Sequence, residues 1–472
     1  MTGETSGQSK SGFILLLGVL TLADVTATFE SMMVFAALKV AIAEFGSAPD
    51  VGWLVTAYLL VAASSAAIAS RLGDMYGRRE MLIIVMLLAT AGSILSAVSS
   101  DLGWIVAGRA IQGVSGAIMP LAMGILREHA REDQVSLGVG ILLSAAGIAA
   151  TLGLFIGGLL TDYWGWHHIF TLSAVMGVLS ALAAFLWLAP SVVEKVVSVD
   201  WIGGVLLAPA IALILLGVGG SGSIPGGVAL VCFVAGSVML VFWFSYEWRH
   251  PDPLIDVRLL AGPALVPNLC VAFWAVSMLQ LTQVQMIFLQ QPVATGVGLG
   301  LSATMAAVVK LPAKGVTMFA APLAGYLVGK TGPRMVVMTG FALGAIGWLI
   351  LIFHNDNIWI VAAVMAAFCA MGVTVVFTGI SSAVLLAAPA NRASESMGVL
   401  TVFRGIFQAL GAQLVMIMLG TDAGEQFPDR ASYQMVFALI AGIATAGILV
   451  SMFLQVKPGT KAKASPGAVP SG

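Results

Sequence analysis

Ser70-Arg71-Leu72-Gly73-Asp74-Met75-Tyr76-Gly77-Arg78-Arg79 lies between two long apolar runs, and its reading decides the fold. A connection this short, with one acid and three arginines, is not an ordinary solvated linker. It reads as a loop joining two membrane helices. Basic loops gather on the cytoplasmic side of membrane proteins in general, so the stretch takes its meaning from what surrounds it.

Composition sets the solvent. Of 472 residues, 59% are hydrophobic and 9% charged, against roughly 25% charged in a soluble domain. Mean hydropathy is +1.02. No soluble core hides that much apolar surface, so lipid is the expected surrounding of most of the chain. The net charge of −1 says little about partners, and no nucleic-acid partner is expected. Cys232, Cys270 and Cys369 each sit in an apolar run with no partner at metal-ligand spacing, which supports neither a disulfide framework nor a metal site. His167 and His168, without further ligands, read as interfacial anchors. Residues 1–11 are polar and lead into a run that holds Asp24 and Glu30, a poor match to a cleavable signal peptide.

Apolar segments long enough to cross a bilayer occur at 13–38, 51–70, 81–99, 103–126, 136–160, 168–189, 201–220, 226–246, 264–289, 300–328, 334–353, 358–387, 394–420 and 432–455. That makes fourteen, with both termini on one side. Lys and Arg concentrate on that side, only Lys39 and Arg430 fall on the other, and Arg109, Lys310, Lys314 and Arg404 lie within spans. The charge bias predicts a multi-pass protein of the cell membrane with both ends cytoplasmic. The expected organisation is an N-terminal tail (1–12), a six-helix bundle (13–190), two linking helices with their loops (191–263), a second six-helix bundle (264–456) and a disordered cytoplasmic tail (457–472).

The 70–79 stretch resembles the Gly-x-Leu-x-Asp-Arg-x-Gly-Arg-Arg signature of the major facilitator superfamily. Ser70 replaces its first glycine and Met75 its basic residue, while Asp74, Gly77, Arg78 and Arg79 stand in place. A weak copy recurs as Gly325-Tyr326-Leu327-Val328-Gly329-Lys330-Thr331-Gly332-Pro333-Arg334. The arrangement of six, two and six helices is similar to the fourteen-helix drug:proton antiporter branch. The resemblance implies an all-α fold of two related bundles, with a site between them. It also implies that Asp74, Gly77, Arg78 and Arg79 gate the cytoplasmic side, near Asn391, Arg392, Ser394 and Glu395.

Charges inside a bilayer cost roughly 2.5–3.5 kcal/mol each. Asp24, Glu30, Arg109, Lys310, Lys314 and Arg404 must therefore face a cavity, a ligand or one another. Arg109-Ala110-Ile111-Gln112-Gly113-Val114-Ser115-Gly116-Ala117 resembles the branch's Arg-Ala-x-Gln-Gly-x-Gly-Ala pattern, whose arginine lies near a proton-coupling acid of the first helix. Glu30, in Phe29-Glu30-Ser31-Met32-Met33-Val34-Phe35-Ala36-Ala37-Leu38-Lys39, occupies that acid's position in the resemblance. A carboxylate in a partly desolvated cavity can take up and release a proton near neutrality. Gln112, at i+3 from Arg109, extends the polar face. Asp24 shares a stripe with Thr21, Thr28 and Ser31; it either titrates or lines the cavity mouth.

In the fifth span, Gly153-Leu154-Phe155-Ile156-Gly157-Gly158 carries Leu154 where the antiporter pattern has proline. Ala145, Ala149, Gly153 and Gly157 still form a small-residue stripe for close helix packing. In the second half, Lys310 and Lys314 share a face around Pro312, as an anion site or as partners for Glu30 or Asp24. Gln280 and Gln283 share a face of the ninth span, Arg404 occupies a branch arginine position, and these three with Lys310, Lys314 and Gln112 are the expected substrate contacts in the cavity.

The expected function is proton-coupled secondary transport, with a small molecule and protons as partners, a monomer as the working unit, and no cofactor beyond the proton gradient. No phosphate-binding loop of the Gly-x-x-x-x-Gly-Lys-Ser/Thr kind is present, and no nucleophile–base cluster suggests an enzyme. The whole-chain resemblance favours efflux of amphiphilic drugs or metabolites. The lysines and Leu154 favour proton-linked uptake of a hydrophobic carboxylate.

Overall fold

The computed structural model describes residues 10–191, 200–219, 225–251, 253, 255–295, 297–387, 393–420 and 428–454. Fourteen helices are long and apolar enough to cross a membrane: α1 Gly12–Phe45, α2 Ala48–Tyr76, α3 Arg78–Val98, α4 Leu102–His129, α5 Asp133–Tyr163, α6 His168–Trp187, α7 Trp201–Gly219, α8 Gly226–Arg249, α9 Leu265–Gln290, α10 Ala303–Thr331, α11 Pro333–Phe353, α12 Ile358–Ala387, α13 Ser396–Met418 and α14 Arg430–Ser451. Each corresponds to one span expected from sequence. The two tails, 1–9 and 455–472, lie outside the described residues, as do Lys195, Asn391 and Arg392.

The 70–79 stretch is not the loop its polarity suggests. α2 continues through Asp74 to Tyr76, α3 begins at Arg78, and the connection is Gly77 alone. Its φ of 101° and ψ of 128° lie where side chains are strained. Gly332, between α10 and α11, repeats the device with a φ of 80°. We predict that Gly77→Ala lowers the melting temperature of the purified protein by several degrees, since such strain costs about 1–3 kcal/mol. Gly140→Ala, at a helical position with nothing near its added methyl, should melt like wild type. Equal melting of the two variants would remove Gly77 from this role.

α8 shows why lipid is the solvent: Leu230, Val231, Val234, Val238, Val241 and Phe242 are each more than half exposed. α7 and α8 pack on each other, and α7 lies against α2 and α13 at the seam of the molecule. The expected glycine stripe of α5 meets α1 directly; a methyl on Gly157 would strike the Met33 backbone. α5 runs unbroken through Leu154.

The core is divided along its length. At the end away from Gly77, one apolar cluster joins both halves, from Phe29 and Leu54 to Phe288, Trp348 and Phe437. Toward Gly77 each half has its own cluster, one built on Leu20, Leu82 and Ile125, the other on Val271, Val337 and Leu400, and a further cluster joins Leu60 and Ala63 of α2 to Val399 and Val402 of α13. The halves are fused at one end; toward the other they stay joined along α2 and α13 and part around a cavity.

Candidate functional site

Glycine contacts bring the first polar cluster together. Gly92 of α3 and Gly108 of α4 face each other, so a methyl on either would strike the other's carbonyl oxygen. This close approach sets Ser93 beside Gln112. Ser93 Oγ donates to Glu30 Oε1 at 3.0 Å and accepts from Gln112 Nε2 at 2.6 Å. Arg109 Nη1 donates to Gln112 Oε1 at 2.7 Å and to the Glu30 carbonyl at 3.2 Å, and Nε donates to the Leu54 carbonyl at 2.8 Å. The guanidinium also lies 4.3 Å from the Tyr58 ring centroid, and Tyr58 Oη and Ser115 Oγ are 3.0 Å apart.

Arg109 therefore reaches the Glu30 carboxyl through Gln112 and Ser93, with no direct hydrogen bond between the charged groups. Glu30 Oε2 is buried without a hydrogen-bond partner among the described residues. Glu30 is also 3% exposed and absent from the cavity wall described below. The cavity position expected for it belongs to Asp24. Ser93 and Tyr58 were missed in sequence, because a lone serine in an apolar run carries no signal until its neighbours are known.

Where the halves part, a cavity of about 1240 Å³ is lined by Asp24, Ser70, Arg71, Asp74, Arg78, Arg127, Thr401 and Arg404 among mostly apolar side chains. Asp24 is 4% exposed with Oδ2 unpartnered. Arg404 has its Nε buried and unpartnered. Arg78 pairs with Asp74 through Nε and Nη2 at 2.9 and 2.8 Å, and Nη1 donates to the Gly124 carbonyl at 3.4 Å. The Arg79 backbone N–H donates to Ser191 Oγ at 3.0 Å, while its side chain donates to the Phe185 carbonyl at 2.6 Å. The four expected gating residues are thus tied within the first half. Of the second-half residues expected opposite them, Asn391 and Arg392 lie outside the described residues, as do the side chains of Ser394 and Glu395.

The second half spreads its polar groups more widely. α10 breaks at Lys310, which ends one helical segment and caps the next; Pro312 sits in the first turn after the break. Lys310 Nζ donates to Thr282 Oγ1 at 2.5 Å, and Lys314 is exposed one turn on. Among the described residues, no ion pair joins either lysine to Glu30 or Asp24. Gln280 and Gln283 give their amides to the α13 carbonyls of Gln408 and Ala412 at 3.1 Å each, so both tie α9 to α13 instead of facing the cavity. Gln283 Oε1 remains buried without a partner.

The family model of the Major Facilitator Superfamily matches residues 20–412 and, in a second match, 315–470. The chain is 28% identical over 369 residues to the multidrug resistance protein Stp of Mycobacterium tuberculosis (strain CDC 1551 / Oshkosh), covering 76% of this chain and 67% of that one. It is 26% identical over 395 residues to the tetracenomycin C resistance and export protein of Streptomyces glaucescens, covering 81% and 71%. Among solved structures, a proton-dependent oligopeptide transporter superposes with a TM-score of 0.67 at 17% identity, covering 93% of this chain and 98% of that one. A bacterial homolog of the lysosomal transporter Spinster, in an inward-facing and unoccupied conformation, also gives 0.67, at 16% identity and 94% and 98% coverage. At these identities the structural likeness speaks for the fold.

Proposed function

The chain belongs to the major facilitator superfamily, a family of membrane transporters and not enzymes, and on that premise we propose that it is a proton-coupled exporter of amphiphilic drugs or metabolites, working by substrate:proton antiport. The carrying observation is the separation of two charged sites. Glu30 sits inside the first half on the Ser93–Gln112–Arg109 relay, while the cavity carries its own unpaired charges at Asp24 and Arg404. A proton can thus bind without occupying the cargo's place. Conformational change between the two then couples them.

The charge bias of the connections supports an orientation with the Gly77 end and both termini in the cytoplasm, and the cavity is then inward-facing. The names of the relatives support export as the direction. The working unit is a monomer in this reading, driven by the proton gradient. A second reading, uptake of a hydrophobic carboxylate with protons, is supported by Lys310 at the break of α10.

The deciding experiment follows external pH above proteoliposomes, without an imposed gradient, as compounds are added beside protein-free controls. Acidification on adding a lipophilic cation is expected from antiport. Alkalinisation on adding a hydrophobic carboxylate would replace that reading with symport.

A further inference from the structure

The charged residues of the cavity divide into satisfied and unsatisfied groups. Asp74 and Arg78 hold each other at 2.8 Å, Arg71 donates to the Pro253 carbonyl at 3.3 Å, and Arg127 is exposed at the mouth. Inside, Asp24 from α1 and Arg404 from α13 have neither hydrogen bond nor ion pair among the described residues. They stand on opposite halves of the protein and carry opposite charge.

They also lie at similar depth. Arg109 binds the carbonyls of both Glu30 and Leu54, which places those two residues level. A methyl on Gly405 would touch Ala63 Cβ at 2.8 Å, which places Arg404 near the level of Ala63. At about 1.5 Å per residue, Asp24 lies roughly 9 Å from the Glu30 level toward the Gly77 end, and Arg404 roughly 13 Å from the Leu54 level in the same direction. A molecule in this cavity therefore meets an acid on one wall and a base on the other.

We propose that the preferred cargo is an amphiphile bearing both a cationic and an anionic group, with the cation set against Asp24 and the anion against Arg404. This rests on the proposed transport reading for its site but not on proton coupling. A purely cationic amphiphile answers Asp24 and leaves Arg404 unmatched. A purely anionic one does the reverse and meets the buried Asp24 carboxyl. Apolar wall residues such as Met119, Leu143, Met397 and Val402 hold the rest of the molecule, as ligand cavities do in general.

The test uses three dyes on one xanthene scaffold: rhodamine 6G, a cationic ester; rhodamine 19, its zwitterionic free acid; and fluorescein, an anion. Fluorescence anisotropy with the full-length protein in nanodiscs, at fixed pH and without a gradient, reports binding apart from transport. Rhodamine 19 should bind at least about tenfold more tightly than either of the others, as expected for one more satisfied charged contact. Arg404→Gln should erase the preference over rhodamine 6G by weakening rhodamine 19 alone, while Asp24→Asn should weaken both rhodamines. Equal or tighter binding of rhodamine 6G by wild type, which requires no variant to fold, would overturn the proposal. So would an equal loss for both rhodamines in Arg404→Gln. Failure of antiport with this preference intact would count against the proton reading alone.

Discussion

Glu30→Gln is expected to lower pH-driven flux by at least about a hundredfold, the scale lost when a positioned proton-transfer group is removed, while dye binding in the cavity stays close to wild type. The amide keeps the acceptor oxygen that Ser93 Oγ reaches at 3.0 Å but cannot exchange a proton. Because Glu30 is buried and off the cavity wall, its loss should not touch cargo directly. Counterflow of labelled cargo between two equal pH compartments separates these effects and should persist in the variant. Ser93→Ala tests the relay itself. It removes the bridge between the carboxyl and Gln112, so the pH profile of flux should shift, and Ser93→Thr should restore it. A Glu30→Gln variant that still acidifies the medium on adding cargo would place the coupling group elsewhere.

The sequence made the helices legible because lipid imposes a length and a polarity on each of them, and all fourteen lie where the apolar runs place them. What it concealed was context. Gly77 is one residue of connection, yet the charges around it made a ten-residue stretch look like loop. Their polarity is satisfied on helix faces: Arg78 bonds Asp74 one turn back and reaches the Gly124 carbonyl of α4, so a helix can carry them to its very end. Glu30 and Arg109 were legible as partners through the resemblance, but the connection through Ser93 and Gln112 depends on how closely α3 and α4 approach. Gln280 and Gln283 show the converse. Helical spacing put them on one face correctly, but which face meets a backbone and which a cavity is set by tertiary packing alone.

The end of the molecule away from Gly77 yields the other large expected effect. There Gly158 of α5 lies against α10 so closely that a methyl would stand 2.8 Å from the carbonyl carbon and oxygen of Ala303 and from Thr304 Cα. One turn on, Asp162 accepts the Ala303 and Thr304 backbone N–H groups at 3.0 and 2.8 Å, capping the start of α10 from the opposite half. A carboxylate at a helix N-terminus is stabilising, and this one exists only while the halves are closed at this end. Gly158→Val puts bulk against backbone, which cannot yield as a flexible side chain would. Replacing glycine here therefore disfavours the closed arrangement without touching the cavity or Glu30. With closure at this end lost, the cavity should cease to open toward Gly77. A cysteine at Thr401, a cavity residue, should lose most of its labelling by a membrane-impermeant maleimide added from the Gly77 side, and flux should fall at least about tenfold, the effect of a little over 1.4 kcal/mol on the conformational equilibrium. Asp162→Asn, which keeps the shape but removes the charge, should produce the same change in milder form. Unchanged labelling in Gly158→Val, in a protein that melts like wild type, would mean that this contact does not govern which end is open.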